Sequence, residues 1–139
     1  MASRIYWDSC VAIYRVEQVA PWFARIDRCL LGLSGDTRLC LTDLTWMECR
    51  VGPMRVGNAP LLARYDEFFA RPEISWAPLT REVFARASQL RAAHRIKTPD
   101  ALHPAAALVD GCTEFWTHDD RLASVAAGHL RVVALDENS

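Results

Sequence analysis

The segment from Thr98 to Leu122 constrains the fold more than any other part of the chain, because it reads as a helix, a strand and a second helix in succession. A threonine followed by Pro99 is typical of a helix start, with a capping hydroxyl and then proline at the first helical position. The apolar run 101–109 predicts a buried helix that ends before Gly111, since glycine adopts the left-handed conformation there at little steric cost. Residues 112–117 predict a strand.

The rest of the chain continues this alternation. Further strands are predicted at 4–7, 38–41, 74–79 and 130–135, and further helices at 10–19, 22–31, 42–50, 59–70, 81–95 and 120–126. Gly52 and Pro53 are expected to end the helix 42–50, and Pro104 is expected to kink the helix after Thr98 or to delay its start. Alternating strands and helices argue for an α/β fold with a mainly parallel sheet.

Length and composition place the chain in a broad class. With 139 residues it is expected to form one domain, spanning 1–139. The net charge of −1 provides no overall basic field for nucleic acid. Five cysteines, an odd number without C-x-x-C spacing, favour reduced core thiols in a cytoplasmic protein. No run approaches the roughly 18 apolar residues of a membrane span, so no membrane partner is expected.

Four acidic residues fall where this arrangement brings them to one edge of the sheet. Asp8 and Asp119 follow predicted strands, Asp100 begins a helix, and Glu48 lies in the helix after the second strand. Ligands of open parallel sheets bind outside the carboxyl ends of the strands. Taken singly, each acid is better explained as a helix cap or as a partner of a helix dipole. Together, the four carboxylates predict a site for a hard cation, Mg²⁺ or Mn²⁺, which can activate water for attack on a phosphodiester.

Other polar residues provide weaker candidates. His103 and His118 are expected to line the mouth of the acidic site, but no H-E-x-x-H pattern points to a zinc enzyme. Cys10 is near Asp8 without a histidine next to it in the sequence, which favours a buried structural thiol. Asp43 is an accessory candidate.

Four motifs together carry a resemblance to a known family. They are I-Y-W-D-S at 5–9, L-T-x-M-E-C-x-V-G-P-x-R at 44–55, T-P-D-A-L-H-x-A-A-A-L at 98–108 and W-T-H-D-x-R-L at 116–122. With these four motifs in this order, the sequence resembles the PIN-domain family and, within it, the VapC-type toxin ribonucleases of bacterial toxin–antitoxin pairs. The resemblance covers essentially the whole chain.

The resemblance implies a three-layer α/β/α fold around a central, mainly parallel sheet. It implies Mg²⁺ or Mn²⁺ and endonucleolytic cleavage of RNA by a metal-activated water, with a set of metal-binding and catalytic residues that is Asp8, Glu48, Asp100 and Asp119. The hydroxyls of Ser9 and Thr117 would support the acids, and Asp120 is a substitute or helper for Asp119. The resemblance also implies a homodimer, and inhibition by a small antitoxin protein.

Two other functions remain open. The first is a non-catalytic PIN-like module that binds RNA or a protein, although a phosphate-binding groove gains nothing from clustered negative charge. The second is a receiver-like phosphoacceptor domain, which would need paired acids after the first strand and a lysine after the last. Lys97 is the only lysine in the chain, and it precedes the helix that contains Asp100.

Overall fold

A parallel sheet of five strands forms the centre of the molecule. The computed structural model describes residues 3–32 and 35–135. The strands are β1 (Arg4–Trp7), β2 (Arg38–Leu41), β3 (Ile74–Trp76), β4 (Glu114–Thr117) and β5 (Arg131–Ala134). They lie in the order β3-β2-β1-β4-β5, and every neighbouring pair is parallel. β1 is therefore the central strand, and chain direction places the carboxyl ends of all five strands at one edge.

Seven helices cover the two faces of the sheet within the described residues. They are α1 (Ser9–Val16), α2 (Trp22–Leu31), α3 (Asp43–Arg55), α4 (Ala59–Phe69), α5 (Arg81–His94), α6 (Thr98–Val109) and α7 (Asp120–Ala127). The prediction of a three-layer α/β/α fold with a parallel sheet is confirmed. None of the helices in the described part of the chain has the length and apolar character needed to cross a membrane.

Alternation of side chains along the strands divides the core into two layers. Tyr6 and Phe115 face α5, α6 and α7, where buried residues such as Leu90 and Leu102 pack against them. The other face, covered mainly by α1, α2 and α4, is formed by Ile5, Trp7, Leu41, Val11, Ile26, Tyr65, Phe68 and Trp116. Because successive strand residues point to opposite faces, β1 contributes fully buried side chains to both layers.

Several predicted element boundaries differ from the structure. α1 ends at Val16 rather than at residue 19, and Gln18 has a positive φ of 55°. α3 was expected to end before Gly52 but continues through Pro53 to Arg55. A proline in the last turn removes only the amide that would bond to the carbonyl four residues earlier, so the helix tolerates it, and Pro53 is buried.

The helix that contains Asp100 begins where the sequence indicated, but its cap differs. Lys97 is the N-cap residue, and Thr98 is the first helical residue, whose hydroxyl accepts a hydrogen bond from Arg91 at 3.2 Å. α6 is one helix through Pro104, so the alternative of a later start is wrong. Gly111 has a φ of 75°, as expected for the glycine after a helix. β3 ends at Trp76 and β4 begins at Glu114, so both strands are shorter than predicted.

Candidate active site

Asp8 lies where β1 ends and α1 begins, at the carboxyl edge of the sheet. It occupies the N-cap position, yet its carboxylate makes no capping hydrogen bond. Instead, Oδ2 accepts a hydrogen bond of 2.7 Å from the hydroxyl of Thr117, which is fully buried in β4. The Cys10 thiol also approaches this oxygen at 3.4 Å, and burial together with the Asp8 charge raises the pKa of Cys10 to about 12. Asp8 is thus held by the neighbouring strand rather than used as a helix cap, and Cys10 stays a protonated thiol.

Glu48 reaches the same edge from α3 and is held by two donors. Its Oε1 accepts a hydrogen bond of 2.7 Å from Ser9 Oγ and one of 2.8 Å from His103 Nε2. Burial of the carboxyl opposes ionisation, but the His103 and Ser9 contacts outweigh it and hold the pKa of Glu48 below its usual range. Glu48 is therefore ionised in the folded protein at neutral pH.

His103 lies beneath this edge and is only 2% exposed, rather than at the mouth of the site as expected. Its Nδ1 lies 2.6 Å from the hydroxyl of Tyr6, which is also 3.2 Å from Thr42 Oγ1. Nε2 donates to Glu48, and Nδ1 shares a hydrogen bond with the Tyr6 hydroxyl, so both ring nitrogens have a partner. The fully buried Tyr6 therefore orients the histidine, and the histidine in turn orients Glu48.

Asp100 and Asp119 are the other two acids expected at this edge of the sheet. We call the edge that carries Asp8, Glu48, Asp100 and Asp119 the acidic edge. Burial raises the pKa of Asp100, and the negative charges of Asp119 and Asp8 raise it further, against the opposing charges of His103 and Arg121. Like charges disfavour ionisation only when they are close, so Asp100 lies within electrostatic reach of both Asp119 and Asp8.

Asp119 and Asp120 are distinguished by their contacts. The Asp119 carboxylate caps α7, with Oδ1 accepting hydrogen bonds from the amides of Arg121 at 2.9 Å and Leu122 at 3.3 Å. Its own amide donates to Thr117 Oγ1 at 3.0 Å, the hydroxyl that bonds to Asp8. Asp120 is exposed as the first residue of α7. The capping role foreseen for Asp119 is therefore real, and it leaves Oδ2 of that carboxylate for another partner.

No three of these acids bring their carboxylate oxygens within 4.8 Å of one another in the described part of the chain. Within residues 3–32 and 35–135, the one group of three candidate ligand atoms that all lie within 4.8 Å of one another is Cys40, Asp110 and Cys112. This group lies at the opposite, amino-terminal edge of the sheet. Arg4 pairs with Asp110 and balances its charge. A hydrogen bond from Cys112 lowers the pKa of Cys40 against the effect of burial, and the charge of Arg4 lowers it further. Sequence analysis treated these cysteines as separate core thiols and did not foresee this group.

Asp43, the accessory candidate, begins α3 just after β2, at the same edge of the sheet. It is exposed and lines a surface groove together with Trp46, Met47 and Trp76. A role for Asp43 at the acidic edge stays a prediction.

Three aromatic rings border the acidic edge, and sequence analysis did not group them. The ring of His118 lies 4.0 Å from that of Trp22 and 5.6 Å from that of Tyr14, measured between centroids. The Tyr14 hydroxyl is 2.9 Å from His118 Nδ1, and the Arg25 guanidinium lies 4.8 Å from the Trp22 ring centroid. No local sequence pattern links these residues, because Tyr14 lies in α1, Trp22 in α2 and His118 in the turn between β4 and α7.

Comparison with known proteins gives a family match. A model described as the PIN domain matches residues 5–128. Among curated proteins, none matches the chain.

Solved structures that resemble the chain are toxin–antitoxin proteins. VapBC-1 from nontypeable Haemophilus influenzae has a TM-score of 0.75 at 15% identity, covering 95% of this chain and 98% of its own. A toxin–antitoxin complex from Klebsiella pneumoniae has a TM-score of 0.72 at 20% identity, covering 96% and 98%. VapC20 from Mycobacterium tuberculosis, described as a toxin that cleaves the sarcin–ricin loop, has a TM-score of 0.74 at 11% identity, covering 94% and 98%. At these identities the likeness establishes the fold.

Proposed function

The chain belongs to the PIN-domain family, and from that premise we propose that it is a metal-dependent endoribonuclease, the toxin of a toxin–antitoxin pair. One observation supports the proposal most directly. The Thr117 hydroxyl donates to Asp8 Oδ2 at 2.7 Å and accepts from the Asp119 amide at 3.0 Å, so acids from separate parts of the chain are neighbours. Burial raises the pKa of Asp100, and the charges of Asp119 and Asp8 raise it further. Repulsion of this kind costs stability, and a bound cation removes the cost. A binding groove for RNA phosphates would have no reason to keep such a cluster.

The donor set fits Mg²⁺ or Mn²⁺. Asp8, Glu48, Asp100 and Asp119 offer only carboxylate oxygens, and the nearby Cys10 sulfur stays protonated because its pKa is about 12. An open arrangement suits a small hard cation that keeps several of its waters. When bound, the cation would supply the charge that neutralises the scissile phosphodiester and favours ionisation of the attacking water.

The remaining residues keep the acids ionised and in place. Ser9 and His103 donate to Glu48, and Thr117 donates to Asp8, so neither carboxylate is free to rotate away from the edge. Asp119 is the better candidate for the fourth acid, because its charge acts on Asp100 and its second oxygen is not used in the cap. Asp120 would then be an exposed neighbour that adds negative charge.

The partners follow from the same proposal. The substrate would be RNA, and a cognate antitoxin protein would cover the acidic edge, as the toxin–antitoxin complexes among the structural neighbours suggest. A homodimer would bury apolar side chains that are exposed on a single chain, which include Met47 at 52% and Met54 at 59% on α3. Exposed apolar surface of this kind often marks an interface.

The test is an RNA-cleavage assay on the antitoxin-free protein with Mg²⁺, with Mn²⁺ and with EDTA. Asp100→Asn should reduce the cleavage rate on the order of 10²-fold or more, the cost of removing one preorganised electrostatic group. Glu73→Gln is the matched control, because it removes the charge of an exposed acid that directly precedes β3, at the opposite edge of the sheet. Calorimetric titration with Mn²⁺ should give binding to the wild type and to Glu73→Gln, and weaker binding to Asp100→Asn.

Two results would argue against the proposal. Full cleavage by Asp100→Asn would exclude a metal held by these acids. An absence of cleavage with either metal across varied RNAs, in a protein that is folded, would favour the alternative of a non-catalytic PIN-like module that binds RNA or a protein.

A further inference from the structure

The rings of Tyr14, Trp22 and His118, which we call the ring platform, form a preorganised aromatic surface. All three side chains are partly exposed. Tyr14 and Trp22 stack with an interplanar angle of 20°, and the Tyr14 hydroxyl holds His118 through the 2.9 Å contact with Nδ1. A surface whose side chains are already fixed loses little conformational entropy when a ligand binds.

The ring platform is continuous with the acidic edge. His118 lies between Thr117, whose hydroxyl bonds to Asp8, and Asp119, which caps α7. Neighbouring Cα atoms are about 3.8 Å apart, so the histidine ring projects from the same turn that presents an acid of the edge. The Tyr14 hydroxyl is tied to the same turn, because it lies 2.9 Å from His118 Nδ1.

Positive charge accompanies the rings. The Arg25 guanidinium lies 4.8 Å from the Trp22 ring centroid. Burial and two acidic neighbours raise the pKa of Asp100, and the charge of Arg121 opposes that rise. Proteins that bind single-stranded nucleic acids combine aromatic rings, on which bases stack, with cations that follow the backbone. This combination fits a nucleotide better than a peptide, which offers neither a planar base nor a phosphate.

We propose that the ring platform is a binding subsite for one nucleobase of single-stranded RNA, adjacent to the acidic edge. The inference rests on the proposed function, because it takes RNA as the substrate. A base on the ring platform would place its strand across the acids, so Trp22 acts as a residue that positions the substrate. The ring platform would also favour unpaired over paired RNA, since only an unpaired base exposes its faces for stacking.

The rings also contribute to packing between α1 and α2, so the test must separate packing from stacking. Tyr14 and Trp22 lie against the core layer that includes Val11 and Ile26. Trp22→Leu keeps apolar volume without an aromatic face, whereas Trp22→Phe keeps a face. Trp46→Leu is the matched control, because Trp46 is also a partly exposed tryptophan with an arginine over its ring, at 4.3 Å, and lies in the groove of Asp43.

The experiment measures fluorescence anisotropy of a short fluorescein-labelled oligouridine, and of an abasic oligonucleotide of the same length, in EDTA. Trp22→Leu should lose about 5- to 140-fold in affinity for oligouridine, which corresponds to ~1–3 kcal/mol of stacking free energy. Trp22→Phe should keep most of the affinity, and Trp46→Leu all of it. The abasic strand should bind wild type and Trp22→Leu equally weakly. Equal losses in Trp22→Leu and Trp22→Phe, or unchanged affinity in both, would overturn the inference and favour packing or a protein contact.

A second measurement does not depend on any variant being folded. Photo-crosslinking of a 5-bromouridine oligonucleotide to the wild-type protein should attach the base to Tyr14, Trp22 or His118, as identified by mass spectrometry. Crosslinks found only elsewhere would overturn the inference.

Failure of the ring platform and failure of the proposed function give different results. Trp22-dependent binding in EDTA without cleavage in Mn²⁺ would retain the ring platform and reject the nuclease. Cleavage in Mn²⁺ by a protein whose RNA affinity does not depend on Trp22 would do the reverse.

Discussion

Replacing His103 by leucine should destabilise the protein by a predictable amount, because the ring is nearly fully buried and serves two partners. Leucine is similar in size, so the main cost is lost hydrogen bonding. The Tyr6 hydroxyl, 0% exposed, loses its 2.6 Å partner and keeps only the 3.2 Å contact with Thr42. An under-satisfied buried group of this kind costs ~1–3 kcal/mol. Glu48 loses a 2.8 Å bond but is exposed enough for water to replace much of it, which adds about 0.5–1 kcal/mol.

The sum for His103→Leu is therefore about 1.5–4 kcal/mol, measurable by urea unfolding. At roughly 3–4 °C per kcal/mol for a domain of this length, Tm should fall by about 5–16 °C. The pKa of Glu48 lies below its ordinary value in the wild type, so its ionisation adds stability above that ordinary value, and this stability is lost as pH falls through the folded pKa. The difference between wild type and variant should accordingly narrow in acid.

A double-mutant cycle with Tyr6→Phe tests whether the effect comes from the hydrogen-bonded pair. Tyr6→Phe retains the ring stacked on Phe115 and removes only the hydroxyl. If the two side chains act through their contact, the double variant should lose less stability than the sum of the single variants, by about 0.5–3 kcal/mol. Additive losses would refute the reasoning, as would a His103→Leu protein as stable as the wild type.

Three further changes have expected outcomes. Asp100→Asn should stabilise the metal-free protein at neutral pH, because the pKa of Asp100 is raised by burial and by its acidic neighbours and its ionised form is therefore unfavourable in the fold. Thermal unfolding should show this gain vanishing below the ordinary range of aspartate pKa values, and a gain that persists in acid would contradict the assignment. Thr117→Val should lower the free energy of unfolding, measured in urea, by about 1–2 kcal/mol, because it removes the hydroxyl that donates to Asp8 at 2.7 Å. Thr113→Val removes an exposed hydroxyl and should lower the free energy of unfolding by less. Gly111→Ala should lower the free energy of unfolding on the order of 1 kcal/mol, because the φ of 75° at this position disfavours a side chain. Gly128→Ala, at an ordinary helix end, should leave the free energy of unfolding nearly unchanged. Equal losses in the two variants would refute a role for backbone conformation.

The order and type of the elements could be predicted from the sequence because local signals determine them. Apolar runs, Gly111 and the turn residues located all five strands and all seven helices to within a few residues. The errors came from residues whose effect depends on packing. Pro53 did not end α3, since a proline near the last turn costs a single hydrogen bond and here is buried.

The positions of the acids could be predicted, but the side chains that hold them could not. Strand direction alone brings Asp8 and Asp119 to one edge, because parallel strands share their carboxyl ends. The contact between His103 and Tyr6 joins residues 97 positions apart, and nothing in either local sequence specifies it. The ring platform could not be predicted for the same reason, because Trp22 and His118 come into contact only after α1 and α2 have packed on the sheet.

α6 contains Pro104 in its interior, although a proline there normally bends or ends a helix. α6 begins at Thr98 and continues through Pro104 to Val109. A proline in this position lacks the amide that would bond to the carbonyl of Asp100, so the missing hydrogen bond falls within the first turns of the helix, beside the acidic edge. The rest of the helix is secured by burial, because Ala101, Ala105 and Ala106 are each 0% exposed. Apolar packing therefore holds α6 in place, and its first turn can present Asp100 to the acidic edge without a complete set of helical hydrogen bonds.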